Sequence, residues 1–138
     1  MTRLDAIIGP QCISRYAPLF LYMQAFLLFI GCVFWIDAST NAVAFDPKTW
    51  GSFAYSFDAR VWAALTMGGA ACAIIGLVHP VKRYMVAIGG GFHVFQHLAV
   101  SYSAFFTGGD VAVGLYSSTF FLPVHLLMMA GALSEWRA

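Results

Sequence analysis

Three histidines lie inside apolar stretches of the sequence: His93, His97 and His125. A neutral imidazole offers one hydrogen-bond donor and one acceptor, and its unprotonated nitrogen can bind a transition metal. His93 and His97 are four residues apart, so they share one face if the segment is helical. These residue types suit three uses: hydrogen bonding between helices, binding of a cofactor or metal, and relay of protons.

The residues around the histidines favour close contact between helices. Gly90, His93, His97 and Ser101 follow one helical face, and Gly89 borders it. A second stretch repeats small residues every four positions, a pattern that lets helix backbones approach closely. We therefore predict a helix contact formed by Gly68, Cys72, Gly76, Gly89, Gly90 and Ser101. In this interpretation the histidines only hydrogen-bond between helices.

Cofactor binding is the second interpretation. If their segments are antiparallel helices, His93 and His125 both lie about 12–14 Å from the same membrane boundary, at 1.5 Å per residue. Two such imidazoles would suit the axial positions of a b-type haem. All three histidines, with Cys72 or Met129, would suit a copper- or zinc-like transition metal. No carboxylate lies nearby in the sequence to orient the rings, as is usual at metal sites.

A proton or solute path is the third interpretation, since histidine titrates near pH 6.5. The apolar stretches have no charged residue away from their ends, which argues against a pump or a coupled transporter. A small holin-like pore formed by several copies stays open.

The acidic residues suit helix starts and loops, and no lysine follows the Gly89–Gly91 run as a phosphate-binding loop would require. These observations argue against an enzyme.

The composition places the histidines in a membrane. Hydrophobic residues make up 61% of the 138 residues and charged residues 9%, compared with about 25% charged residues in soluble domains. Four stretches reach the roughly 20 apolar residues that a span requires: about 17–36, 59–79, 84–106 and 111–133. Each must be helical, because hydrocarbon offers no water to unpaired backbone groups. We predict an all-α integral membrane protein with a single domain, 1–138.

The connections predict an up-down bundle of four transmembrane helices. The residue before Pro80 avoids helical geometry, so the second span ends there, and the next begins within four residues. The glycines before Asp110 end the third span, and Asp110 suits the N-cap of the fourth. Such short connections make the second, third and fourth spans antiparallel neighbours.

The longer connection between the first two spans contains an aromatic segment. Asp46 and Pro47 suit the start of a helix, and Trp50, Phe53 and Phe57 follow at helical spacing. We therefore predict a short amphipathic helix that lies in the membrane interface.

Basic residues predict the orientation of the chain. One side carries Arg3, Arg15, Lys82, Arg83 and Arg137, and the other carries Lys48 and Arg60. By the positive-inside rule both termini face the cytoplasm, and we expect a bacterial inner membrane. The net charge of +1 gives no reason to expect nucleic acid as a partner.

The function favoured by these features is a non-enzymatic membrane subunit. Its expected partners are the lipid bilayer and either further copies of the chain or other membrane subunits of a larger complex. A haem- or metal-binding redox protein is the alternative, and a small pore is a third interpretation.

Overall fold

The computed structural model describes residues 11–40, 47–52 and 58–137. Within these ranges the chain forms helices and no strands. The elements are α1 (Cys12–Thr40), α2 (Pro47–Trp50), α3 (Ala59–Val78), a 3₁₀ turn (Pro80–Lys82), α4 (Arg83–Phe106), α5 (Val111–Tyr116), a π-helical turn (Ser117–Phe121) and α6 (Leu122–Arg137).

Three stretches are long and apolar enough to cross a membrane: Cys12–Ser39, Ala59–Val78 and Val111–Glu135. They contain the first, second and fourth predicted spans, apart from His79 at the end of the second. The third predicted span forms α4, which has 24 residues but is not among the three. Polar residues such as His93, Gln96 and His97 make α4 less apolar than the others. The fourth crossing, and with it the four-helix transmembrane bundle, stays a prediction.

The helix ends follow the predicted signals. Helix α3 ends at Val78, and His79 is extended (φ −109°, ψ 100°) because the following proline excludes the helical region. The Asp110 carboxylate accepts a hydrogen bond from the amide of Ala112 at 2.8 Å. Asp58 caps α3 in the same way through the amide of Arg60, also at 2.8 Å. Each cap thus gives a hydrogen-bond acceptor to an amide of the first turn, which has no partner within the helix.

Helix α3 packs between α1 and α4, and α4 packs between α3 and α6. Gly76 near the end of α3 lies beside Val86 near the start of α4, so these two helices are antiparallel. Buried side chains from all four long helices meet in one core cluster: Ile13, Phe20, Ala73, Leu77, Val86, Met128 and Ala132. The fold therefore brings residues from distant parts of the sequence into one interior.

An ion pair joins the ends of four helices. Arg83 Nε lies 3.1 Å from Glu135 Oε2, and the other oxygen of Glu135 accepts the amide of Ile13 at 3.1 Å. Arg83 also donates to the carbonyls of Gly76 and Leu77, each at 3.0 Å. The pair thus gives hydrogen-bond partners to a backbone amide at the start of α1 and to two carbonyls at the end of α3, which have none within their own helices. We call Arg83, Glu135 and these backbone partners the charged end.

The outer surface of the helices is apolar. Large side chains that are more than 60% exposed include Tyr22, Phe29, Ile36, Tyr102, Phe106 and Tyr116. Water would make so much exposed apolar area unfavourable, whereas hydrocarbon would not. Together with the three apolar helices, this surface is that of a small membrane protein.

The aromatic segment between the first two spans is described only in part. One helical turn, α2, ends at Trp50 and is followed by Gly51, whose φ of 59° favours glycine. Trp50 packs edge-on against Phe34, with ring centroids 6.0 Å apart, and Thr49 accepts the amide of Asp110 at 2.9 Å. The turn is therefore docked against α1 and the α4–α5 connection.

Asp46, Phe53 and Phe57 lie outside the described residues. The predicted interfacial position of this segment accordingly stays a prediction.

Candidate functional site

The structure brings the three histidines of the apolar stretches together. The ring centroids of His93 and His125 are 4.7 Å apart, those of His97 and His125 are 5.1 Å apart, and those of His93 and His97 are 6.3 Å apart. His93 and His125 are fully buried, and His97 is 9% exposed. Helices α4 and α6 thus place three imidazoles side by side in the interior.

The glycines next to His93 admit two neighbouring helices. A Cβ added to Gly89 would lie 2.8 Å from the backbone nitrogen of Ala73 on α3. A Cβ on Gly90 would lie 3.3 Å from side-chain atoms of Met128 and Met129 on α6. Gly76 packs just as closely, since its Cβ would lie 2.6 Å from Val86 N. These three glycines therefore let α4 approach α3 and α6.

The other predicted packing residues, which are Gly68, Cys72 and Ser101, have different surroundings. Gly68 has no heavy atom within 4 Å of an added Cβ, and Cys72 is half-buried. Gly69 instead faces α4, where its Cβ would lie 3.1 Å from His93 Nε2. Successive residues of a helix are rotated by 100° about its axis. Gly68 therefore lies on the face of α3 next to the one that contacts α4. Ser101 donates to the carbonyl of His97 in its own helix, at 2.7 Å.

His125 has a partner at each ring nitrogen. Nδ1 lies 2.8 Å from the carbonyl oxygen of Phe121, and a carbonyl only accepts, so Nδ1 carries the proton. Nε2 is then the acceptor for the amide nitrogen of Gln24 at 3.0 Å. A neutral imidazole is thus fixed in one tautomer and links α6 to α1.

His97 contacts Ser117 through one ring nitrogen. Ser117 Oγ lies 3.1 Å from the carbonyl oxygen of His97 and 3.1 Å from its Nδ1, so this hydroxyl bridges the backbone and the ring. The remaining ring nitrogen of His97 is Nε2. That Nε2 is buried and has no hydrogen-bond partner among the described residues. The His97 ring also stacks on Phe121, with centroids 5.2 Å apart.

His93 differs from the other two histidines. Both of its ring nitrogens are buried, and neither has a hydrogen-bond partner within the described part of the chain. Its ring fits against Gly69 on α3 and against the ring of His125 on α6. His93 is therefore held by packing.

The geometry gives no support to haem or metal at His93, His97 and His125. In residues 11–40, 47–52 and 58–137, no group of three or more His, Cys, Asp or Glu residues is placed to hold a metal ion. The His93 and His125 rings touch, so this arrangement leaves no room for a macrocycle between them. Metal binding by His125 would also require loss of one of its hydrogen bonds. Both cofactor interpretations stay predictions.

The π-helical turn forms the wall next to His97 and His125. Pro123 has no N–H to donate to the Thr119 carbonyl, and the turn lies just before it, with the amide of Leu122 donating to Ser117 O. The hydroxyl of Thr119 bonds back to Leu115 O at 2.5 Å. The helix is thus locally opened next to Pro123 as a π turn, a feature often found at functional sites.

A cavity of about 350 Å³ lies beside His97. It lies between α1, α3, α4, α5 and the π turn. Its apolar wall comes from Phe26, Leu27, Ile30, Phe34, Trp50, Val100, Val113 and Phe121. Its polar part comes from Thr66, Gln96, His97, Tyr116 and Ser117. Gln96 donates to Thr66 Oγ1 at 2.6 Å, and Thr66 donates to Trp62 O at 2.8 Å.

Gln24 and Ser117 belong to this site, although the sequence pattern does not single them out as site residues. The available signal for Gln24 is that it is the strongly polar residue in an otherwise apolar first span. A buried amide in hydrocarbon needs a partner. Ser117 gives no such signal, because it is one of several hydroxyl residues near the fourth span.

Comparison with known proteins gives no relative from which a function could be transferred: no family model, no curated protein and no solved structure matches the chain.

Proposed function

We propose that the protein is a non-enzymatic integral membrane subunit with four transmembrane helices in an up-down bundle. It associates with further copies of itself, or with other subunits of a larger membrane complex, through the outer face of α3. The observation that carries this proposal is the position of Gly68, which is exposed and where an added Cβ would meet no heavy atom within 4 Å among the described residues.

The distribution of residues on α4 supports the fourth crossing. Its 24 residues extend about 36 Å at 1.5 Å per residue, which exceeds the hydrocarbon thickness of about 30 Å. The polar side chains of His93, His97 and Ser101 are buried, whereas Phe95 and Tyr102 are exposed. The polar groups that lower the apolarity of α4 therefore face the protein interior, and lipid would contact an apolar surface.

The positions of the acidic residues support a role without catalysis. Asp58 and Asp110 cap helix starts, and Glu135 forms an ion pair with Arg83 at the charged end. Each of these three carboxylates thus has a structural use at a helix end. The interior groups of His125, Gln24 and Ser117 bond to one another or to backbone carbonyls.

The outer face of α3 suits a second helix. Ala64, Gly68 and Cys72 recur every four residues, with Ala64 and Gly68 exposed. In a membrane, where lipid tails give no hydrophobic drive to association, small residues allow close van der Waals packing between backbones. The exposed residues Ala64 and Gly68 are therefore available to a partner, whereas Gly76, the last residue of the predicted pattern, is buried against Val86.

The association is tested by replacing Gly68 with isoleucine. The substitution should weaken self-association, or association with the native partner, about tenfold, which corresponds to about 1.4 kcal/mol. The fold should persist because a side chain at Gly68 meets open space. Sedimentation equilibrium of the purified protein in detergent measures self-association, and co-purification from the native membrane measures hetero-association.

The control is Leu98→Ile, on an exposed part of α4, which should leave both measurements unchanged. If Gly68→Ile and Leu98→Ile behave like the wild type, the α3 face is not the interface.

The proposed orientation places both termini in the cytoplasm of a bacterial cell, with the chain in the inner membrane. The basic residues Arg15, Lys82 and Arg83 lie on the inner side under the positive-inside rule. Separate reporter fusions at the two termini test the number of spans directly. Four spans put both reporters in the cytoplasm, whereas reporters on opposite sides would exclude the crossing by α4.

A further inference from the structure

We propose that the cavity beside His97 binds one acyl chain of a membrane lipid. The lipid belongs to the leaflet on the side of the membrane opposite the charged end, and its chain enters between α1 and α5. This site goes beyond association through the outer face of α3, because Ala64, Gly68 and Cys72 do not line the cavity.

The cavity connects the protein interior with the outer surface of the helices. Leu27, Val100 and Ser117 line it and are at most 7% exposed. Phe26 on α1 and Tyr116 on α5 line the same cavity and are 43% and 69% exposed. This outer surface is in contact with hydrocarbon in a bilayer, so a lipid chain reaches the buried residues without passing through water.

The shape of the cavity fits a single chain. Phe26, Ile30 and Phe34 line it from α1, so it extends over eight residues, or about 12 Å at 1.5 Å per residue. Val113 and Phe121 line the opposite wall over the same number of residues. The cavity is therefore elongated along the helix axes.

The width of the cavity excludes a helix of another subunit. Its volume of about 350 Å³, over a length of about 12 Å, gives a mean cross-section of about 30 Å². A helix with its side chains is about 10 Å across, which corresponds to about 80 Å². Carbon atoms of a hydrocarbon chain contact their neighbours at about 4 Å, so one chain is narrow enough to enter.

The depth of the cavity matches one leaflet. The apolar stretch that begins at Val111 is long enough to cross a membrane. Phe121 lies ten residues from its start, or about 15 Å, which is half of the hydrocarbon thickness of about 30 Å. Trp50 and Val113 line the other end of the cavity, near the membrane boundary, where tryptophan is frequent. The cavity therefore extends from the boundary to the bilayer centre, parallel to the lipid chains.

The polar side chains of the lining bond within the protein. Thr66 donates to the carbonyl of Trp62 at 2.8 Å, and Gln96 donates to Thr66 at 2.6 Å. Ser117 donates to the carbonyl of His97 at 3.1 Å. Most of the remaining wall is apolar, so water lacks the two to four polar partners that it needs. An empty cavity loses dispersion contacts, which a hydrocarbon chain supplies.

The volume corresponds to most of one acyl chain. A dry apolar cavity of about 150 Å³ is sufficient to bind benzene, which has six carbon atoms. The cavity beside His97 is a little more than twice as large, so it holds about 14 carbon atoms. The headgroup then stays at the membrane boundary near Trp50.

The test uses phosphatidylcholine with a diazirine group on one acyl chain. The full chain is placed in nanodiscs of phosphatidylcholine that contain a small fraction of this lipid. On illumination the diazirine loses N₂, and the resulting carbene inserts into a nearby C–H or O–H bond. Mass spectrometry of peptides then identifies the labelled residues.

A bound chain and the surrounding lipid label different residues. We expect adducts on Leu27, Val100 and Ser117, which line the cavity and are buried. Surrounding lipid labels exposed residues such as Phe29, which is 63% exposed and serves as the internal reference. The adducts on the buried residues therefore report a chain inside the cavity.

The position of the diazirine on the chain tests the choice of leaflet. A diazirine near the chain terminus should label the cavity near Phe26 and Phe121, at the bilayer centre. A diazirine near the carboxyl end should label it near Phe34 and Trp50, at the boundary. The reverse pattern would show that the chain comes from the other leaflet and would overturn the proposal.

Two variants of α1 make the test specific to the cavity. Ile30→Trp fills the cavity from a half-buried lining position, and the adducts on Val100 and Ser117 should be lost while those on Phe29 stay. Ile36→Trp makes the same substitution at a position that is 63% exposed and outside the lining. It should leave all adducts as in the wild type.

The proposal is overturned if Phe29 is labelled and Leu27, Val100 and Ser117 are not, as expected if a side chain of another subunit fills the cavity. It is equally overturned if Ile30→Trp and Ile36→Trp give the same adducts.

Discussion

The charged end and the histidine region differ in how completely their polar groups are satisfied. At the charged end, Arg83 contacts Glu135 and two carbonyls, and Glu135 also accepts a backbone amide. In the histidine region, both nitrogens of His93, Nε2 of His97 and Oε1 of Gln24 have no partner among the described residues. Both regions are largely buried, so burial alone does not account for the difference.

The difference arises because the charged end lies at the ends of the helices and the histidine region lies in their middle. Helix ends expose amides and carbonyls that a charged side chain can bond, so the start of α1 supplies a partner for Glu135 and the end of α3 supplies two for Arg83. In the middle of the helices the backbone groups bond to one another, so a buried side chain there depends on other side chains for partners. The charged end therefore contributes stability, and the histidine region leaves part of its hydrogen-bonding capacity unused.

The largest effect is expected from Arg83→Met at the charged end. This change leaves Glu135 partly buried without its cation and removes the donor for the Gly76 and Leu77 carbonyls. Loss of one partner of a buried pair costs about 3–5 kcal/mol, and partial exposure reduces it to about 3 kcal/mol here. Unfolding in mixed micelles with increasing SDS measures the free energy.

Lys82→Met is the control for Arg83→Met, since Lys82 is exposed and adjacent in the sequence. It should change the free energy of unfolding by less than about 0.5 kcal/mol. Equal effects of the two substitutions would show that the charged end contributes no specific stability.

A smaller effect is expected within the run of three glycines. Gly89→Ala places a Cβ 2.8 Å from a backbone nitrogen of α3, which forces the helices apart and should cost about 2 kcal/mol. Gly91→Ala meets only Met129 Sδ at 3.9 Å, an ordinary contact, and should gain up to about 1 kcal/mol from helix propensity. The same SDS titration compares both variants, and a loss of stability in Gly91→Ala as large as in Gly89→Ala would contradict the assigned contacts.

The sequence was sufficient to predict that these stretches are helical and that His93 and His125 lie at similar distances from the ends of their helices. Apolar length, Pro80 and the Asp110 cap each act locally, so their consequences can be derived without knowledge of the packing. The depth of a residue follows from its distance to a helix end, which is why His93 and His125 could be placed at one level.

The rest depends on helix rotation and on long-range partners. The spacing of Gly68, Cys72 and Gly76 is regular, yet Gly69 and Gly76 face α4 while Gly68 meets open space, because packing of the whole bundle sets the rotation of α3. From the sequence, Glu135 is expected to be a solvated residue near a helix end. In the structure it pairs with Arg83, 52 positions earlier in the chain. The cavity arises from the separation of α1 and α5, for which the sequence carries no local signal.

The smallest effect is expected from His93→Leu in the histidine region. His93 makes no hydrogen bond within the described residues, so leucine removes two unsatisfied polar atoms and keeps a buried apolar side chain of similar size. The gain from removing polar atoms and the cost of repacking against Gly69 offset each other, and the free energy of unfolding should change by less than about 1 kcal/mol. A loss above about 2 kcal/mol in the SDS titration would show that His93 has a polar partner, and the histidine region would then resemble the charged end.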